Sequence, residues 1–239
     1  MARVEPDPQV RSQFHHDLAS VNADLSQLIT SVGEEVAQAT ECLLTDGKET
    51  ALDFMSRRHW SDPLYEHVAE DVEVLMARQS PVASDLRYLL AVVRAVPELE
   101  QSAALAHEIA RRGGLGIAAV LSPRARALVT RMGDIVTAMW QELDRGWQQR
   151  SVVVDDLESA RSELHDLHNT LTAEVAGSQM AASVTMDMAL VGRFYERLGD
   201  HAVNIASRLD ALRTWPGGGD APGAGSGGGS GCRPDPVLR

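Results

Sequence analysis

The sequence predicts an all-α fold of two tandem, pseudo-symmetric three-helix bundles, and three observations carry that prediction. Apolar residues recur at steps of three and four along nearly the whole chain, the period of one face of an α-helix. Apolar residues make up 44% of the chain but aromatics only 4%. A core built mostly of Ala, Val, Leu and Met suits close helix packing better than sheets. Third, the second half of the chain repeats the first. Val32-Gly33-Glu34-Glu35-Val36 lies one hundred residues before Met132-Gly133-Asp134-Ile135-Val136, and Glu100, Ala106, Ile109 and Ala110 correspond to Glu196, Ala202, Ile205 and Ala206 at an offset of 96. Tandem repetition of a helical unit follows from that spacing alone.

In chain order, residues 1–10 carry Pro6 and Pro8 and read as a disordered lead-in. The first bundle spans 11–113. Its first helix follows from Phe14, Leu18, Val21, Leu25, Leu28, Val32, Val36, Ala39 and Leu43, and ends at Asp46-Gly47. A second helix from about Lys48 to Gln79 contains Pro63, which removes one backbone hydrogen bond and predicts a kink or break near Ser61-Asp62. Ser80-Pro81 is a stop and restart. A third helix continues to Arg112 through Leu86, Leu89, Leu90, Val93 and Val96, with Pro97 as a further kink candidate, and Gly113-Gly114-Leu115-Gly116 closes it.

The second bundle spans 121–213. Ser122-Pro123 reads as the cap and first turn of a helix carrying Leu128, Met132, Ile135, Val136, Met139 and Leu143. Gly146 to Val154 reads as a connector, Asp155 to Val175 as the next helix, and Ser178 to Leu212 as the last. In the last helix Leu190, Phe194, Leu198, Ala202 and Ile205 define one apolar face. Residues 216–239 are rich in Gly, Pro and Ser, have little to bury, and read as a disordered tail.

The chemistry-bearing residues concentrate in that last helix. Glu196 and Asp200 stand one turn apart, so their carboxylates project toward the same place and repel unless a cation relieves them. Arg197, a partner's basic group or a metal ion would each serve. A solvated acidic pair flanking Arg197 is the plain alternative. The first half keeps Glu100 but has Ala104 in place of the aspartate and Gln101 in place of the arginine, so the acidic pair exists only in the second half. Asp134 and Asp166 are further ligand candidates by position, and His165 reads as a surface or supporting histidine more than as a ligand. Asp85 and Arg87 read as a structural pair near a helix start, where the aspartate suits the positive end of the helix dipole.

No Gly-x-Ser-x-Gly, phosphate-binding glycine loop or His-Glu-x-x-His occurs in the sequence, so no enzyme motif is legible. The Glu-x-x-His pairs of di-iron bundles are also missing. A formal charge of −12 disfavours non-specific binding to nucleic acid or anionic membranes. Cys42 and Cys232 make no disulfide framework, and no apolar run approaches the length of a membrane span. A cytoplasmic protein is the expectation.

Glu196-Arg197-Leu198-Gly199-Asp200-His201-Ala202-Val203-Asn204-Ile205-Ala206 resembles the core motif of the PhoU family of phosphate-signalling regulators. Pro81 to Arg87, reading Pro-Val-Ala-Ser-Asp-Leu-Arg, is similar to a second signature of that family. The resemblance covers about residues 10–213. It marks Asp85, Arg87, Glu100, Arg197, His201 and Asn204 as family-motif residues, with Glu196 and Asp200 as metal ligands for iron or zinc, restricted here to the second bundle. It implies a non-enzymatic negative regulator of phosphate uptake and of the phosphate-starvation response. The implied partners are the ATPase subunit of a phosphate ABC transporter and a sensor histidine kinase, with self-association as a homodimer and membrane contact only through those partners. A metal-binding helical bundle or a scaffold of another pathway is the alternative.

Overall fold

The computed structural model describes residues 8–45, 48–56, 62–78, 83–149 and 154–213. Among these residues all regular structure is helical: α1 (Pro8–Leu44), α2 (Lys48–Ser56), α3 (Asp62–Arg78), α4 (Ala83–Gly113), a 3-10 turn (Ile117–Val120), α5 (Pro123–Gln149), α6 (Val154–Ala176) and α7 (Ala182–Arg213). The first bundle is α1 to α4 and the second is α5 to α7. The expected endings at Asp46-Gly47 and Ser80-Pro81, the tail, and residues 1–7 of the lead-in lie outside the described residues.

Two expectations are revised, at the start of α1 and the end of α5, while the break before Pro63 and the helix through Pro97 are as expected. Helix α1 begins at Pro8, so the lead-in is shorter than predicted. The middle helix of the first bundle is two helices, α2 ending at Ser56 and α3 starting at Asp62, with Pro63 in the opening turn of α3 where its missing N–H costs nothing. Helix α4 runs through Pro97. The ring deprives the Val93 carbonyl of its helix partner, but Val93 and Pro97 are both exposed, so this face of the helix is open to solvent. Helix α5 passes through Gly146 to Gln149, because the apolar period continues one more turn to Trp147. Trp147 is buried beside Tyr88 of α4 at 6.1 Å between ring centroids, and burial of a whole indole outweighs the roughly 1 kcal/mol a mid-helix glycine costs.

Gly116 takes a φ of 71°, the left-handed conformation that suits glycine, and turns the chain between the bundles. Ile117 and Ala118 then plug into the interior. Ser122 caps α5 as predicted, its Oγ accepting from the Ala125 N–H at 3.0 Å. The Arg126 guanidinium donates to the Leu44 carbonyl at 2.5 Å and the Ala118 carbonyl at 2.7 Å, so a side chain of the second bundle satisfies the open C-terminal end of α1.

The bundles share one continuous core, with α1 against α5 and α4 against α7. The contact obeys the repeat. A Cβ at Gly33 would sit 3.3 Å from Trp140 Cβ, and one at Gly133 would sit 2.5 Å from Thr40 Cγ2. Gly33 and Gly133, and likewise Thr40 and Trp140, are one hundred residues apart, so each glycine seats the counterpart of the other's neighbour. On the other pair of helices, Arg208 donates to both oxygens of Glu98, at 2.9 and 2.7 Å, and Arg112 lies 4.8 Å over the Phe194 ring. Both the two arginines and their two partners are offset by 96. A pseudo-twofold axis relates the halves.

The buried face of α7 is Met188, Val191, Tyr195, Leu198, Ala202 and Ile205. Of the predicted stripe, Leu198, Ala202 and Ile205 are buried, Phe194 is half-buried under Arg112, and Leu190 is exposed. The face is rotated from the prediction because α7 packs on α4, α5 and α6 at once.

Candidate functional site

Helices α6 and α7 approach closely because two glycines of α7, seven residues apart, lack side chains on the contact face. A Cβ at Gly192 would fall 2.7 Å from His168 Cδ2, and one at Gly199 would fall 2.6 Å from Leu164 Cδ1. Into that seam α7 sends Glu196, whose side chain is only 8% exposed. His165 and His168, three residues apart on α6, meet it from the facing helix. His165 Nδ1 is 2.6 Å from Oε1 and His168 Nδ1 is 2.9 Å from Oε2. Arg193, three residues before Glu196, adds a donation to Oε2 at 2.7 Å.

Burial pushes the Glu196 carboxyl up, but donation from His165 and Arg193 and the nearby charges of His168 and Arg193 outweigh it. The carboxyl is held below its ordinary value. A carboxylate with three donors is a charge-assisted clamp between two helices.

Asp200 is not part of that clamp. Its side chain is 41% exposed and pairs with Arg161 of α6 at 3.8 Å. An iron or zinc ion taking Glu196 and Asp200 together would have to displace Arg193 from one carboxylate and Arg161 from the other, while His165 and His168 offer imidazoles that suit either metal. As built, each carboxylate is engaged by its own partners. Asp134 is exposed on α5 and makes no contact with Glu196.

His201 turns the other way, toward the first bundle. It is buried, with Nδ1 2.8 Å from Ser102 Oγ of α4, and Ser102 in turn reaches the Glu98 carbonyl at 2.6 Å. Desolvation lowers the imidazole's pKa, with Arg197 and Arg208 adding to it and Glu98 and Asp200 opposing. Ser102 beside a histidine has the outline of a nucleophile and base. The serine is fully buried and its proton is committed to a backbone carbonyl, so no substrate reaches it.

The remaining motif residues spread out. Arg197 and Asn204 are exposed on α7, and Glu100 is exposed on α4. Asp85 is buried in the first turn of α4, its carboxylate 3.5 Å from Ser84 Oγ, and Arg87, two residues on, is half-buried. Sequence reasoning missed Arg193, Arg161 and Ser102, and it left His168 among scattered histidines. The i, i+3 spacings of His165 with His168 and of Arg193 with Glu196 were the available signals.

Fold and site together define a tandem three-helix-bundle protein with buried polar clamps at its helix seams. Comparison with known proteins carries this further. The family described as "PhoU domain" matches residues 25–113 and 129–209, one match on each bundle, and the chain belongs to that family. It is 27% identical over 210 residues to "Phosphate-specific transport system accessory protein PhoU homolog 1" of Mycobacterium leprae, covering 84% of this chain and 92% of that protein. A Synechocystis protein, "Phosphate-specific transport system accessory protein PhoU homolog", is 26% identical over 85% of this chain and 92% of its own length. Among solved structures, PhoU from Pseudomonas aeruginosa superposes with a TM-score of 0.77 at 25% identity, covering 84% of this chain and 98% of that one. The phosphate transport system regulatory protein PhoU from Streptococcus pneumoniae shares the fold, with a TM-score of 0.72 at 20% identity over 84% and 97%. No helix of the described residues is long and apolar enough to cross a membrane.

Proposed function

We propose that this protein is a non-enzymatic, cytoplasmic negative regulator of phosphate uptake, an accessory to a phosphate-specific transport system. The observation that supports this reading most directly is the family match on both bundles, together with relatives of nearly the same length that carry the accessory-protein name. The finer reading is that it couples the ATPase subunit of a phosphate ABC transporter to a sensor histidine kinase, holding the kinase inactive when phosphate is plentiful. Helix bundles dock through exposed faces of their helices. On α7 the exposed face carries Arg193, Arg197 and Asn204, with Asp200 half-exposed at its edge, which gives a partner polar and charged groups to read.

Deletion of the gene tests the regulation. Expression of phosphate-starvation genes in phosphate-rich medium should rise on deletion and return on complementation, and unchanged expression would count against the proposal. Pull-down with the purified ATPase subunit and the kinase's cytoplasmic region tests the coupling separately. Capture of only the ATPase would retain the transport role and remove the kinase from it.

A further inference from the structure

Outside the motifs, α1 and α3 bring together Asp24, His67 and Asp71. One ligand atom from each lies within 4.8 Å of the other two. His67 and Asp71 stand one turn apart on α3, with His67 Nε2 3.6 Å from Asp71 Oδ2, and Asp24 closes the triangle from α1. We propose that these three residues form a site for a divalent transition-metal ion of the zinc class, tying α1 to α3 in the first bundle.

The chemistry of the donors supports this. One neutral imidazole and two carboxylates are a ligand set suited to zinc, manganese or iron, with water completing the shell. Ligand atoms about 2.1 Å from a tetrahedral ion sit roughly 3.4 Å apart, so the His67–Asp71 pair is already near that separation and Asp24 needs only a small rotation to join it. The side chain of His67 is 58% exposed and that of Asp71 38%, which leaves an open path and room for water.

The electrostatics point the same way. Elsewhere in the protein crowded carboxylates have a guanidinium: Glu196 has Arg193, Asp187 has Arg112, Glu98 has Arg208 and Glu163 has Arg131. Among the described residues, Asp24 and Asp71 have no lysine or arginine within ion-pair distance, and His67 is charged only when protonated. Two carboxylates and an imidazole left in mutual reach without a counter-charge are stabilised by a bound cation. The site is unrelated to the acidic pair of α7. It places a metal in the bundle whose copy of that pair lacks its aspartate.

The test is titration calorimetry of chelator-treated full-length protein with zinc chloride, on the wild type and on Asp24→Asn, His67→Gln and Glu196→Gln. One site is expected in the wild type. Asp24→Asn and His67→Gln should each weaken it by more than the 10- to 100-fold that loss of an outer-shell partner costs, while Glu196→Gln leaves it unchanged. Thermal unfolding provides a second reading: zinc should raise the Tm of the wild type and not of Asp24→Asn. Without zinc, Asp24→Asn should melt no lower than wild type, since it removes a repulsion and breaks no contact. No zinc binding by the wild type, or binding that survives both first-bundle substitutions, overturns the proposal. So does binding lost in Glu196→Gln alone, which would locate the ion in the second bundle.

Discussion

Gly133→Ala is the sharpest test of how the two bundles meet. The added Cβ would stand 2.5 Å from Thr40 Cγ2, 2.7 Å from its Oγ1 and 3.1 Å from its Cβ. Thr40 cannot swing aside cheaply. Its hydroxyl donates to the Val36 carbonyl at 2.8 Å and accepts from the buried Tyr195 hydroxyl at 2.8 Å, and a β-branched side chain in a helix has few alternative rotamers. Overpacking a tight contact costs about 1–3 kcal/mol, and disturbing the Tyr195 bond adds about 1 kcal/mol. Replacing a mid-helix glycine with alanine returns roughly 0.5–1 kcal/mol. The net expectation is a loss of about 1–3 kcal/mol in urea unfolding. The symmetry-related Gly33→Ala faces only Trp140 Cβ at 3.3 Å, a gap that a shift of a few tenths of an ångström opens, so its cost should be near zero. Thr40→Ser deletes the nearer clashing atom, the methyl, and keeps the hydroxyl, and in combination with Gly133→Ala it should recover part of the loss. If Gly133→Ala proves as stable as Gly33→Ala, or the serine gives no recovery, the packing argument is wrong.

Glu196→Gln should destabilise by about 1–3 kcal/mol at neutral pH, since three donors lose a charged acceptor. Because the folded carboxyl titrates below its ordinary value, that stabilisation is present above the unfolded value of 4.5 and is lost as pH falls through the folded one, so denaturation curves of wild type and variant should converge in acid. Gly192→Ala should press on His168 Cδ2 and push its ring off Glu196 Oε2, lowering the Tm in thermal unfolding relative to wild type. His201 is buried with its pKa lowered from 6.5 by desolvation, so it contributes stability that is complete above 6.5 and declines as pH drops below it. His201→Asn should flatten that part of the stability profile, and a parallel decline in the variant would assign it elsewhere. Arg112→Met, which strips Asp187 and Glu108 of a nearly buried cation and Phe194 of its cover, should cost about 1–3 kcal/mol in thermal unfolding.

The fold was legible because helix packing writes itself at steps of three and four, and because duplication wrote it twice. Gly33 and Gly133 showed the repeat in sequence and then proved to be points where α1 and α5 pack tightly. Where the reading missed, packing had overridden a local signal: Trp147 carried α5 through Gly146, and three neighbours rotated the buried face of α7. The site was only half legible. Glu196 stood out as one of an acidic pair, but its actual partners come from α6, twenty-eight and thirty-one residues away, and from an arginine one turn back. Which of two adjacent carboxylates turns inward is decided by the rotation of the helix, and Asp200 faces outward to Arg161.

The pseudo-twofold seam also changes what mutation can do to this molecule. In a symmetric dimer of single bundles, each substitution would appear twice, facing itself or its image across the axis. A change that helped one contact and harmed its twin would cancel. Joining the units in one chain removes that constraint. Arg208 answers a glutamate at 98, while Arg112, its counterpart, covers a phenylalanine at 194. Ser102 and His201 meet in hydrogen bonding, while their counterparts are Leu198 and Leu105. A dimer of identical chains would have to carry Glu98 and Phe194 at the same position. Covalent linkage lets the two sides of one interface specialise independently, one charged and one aromatic, on a single scaffold.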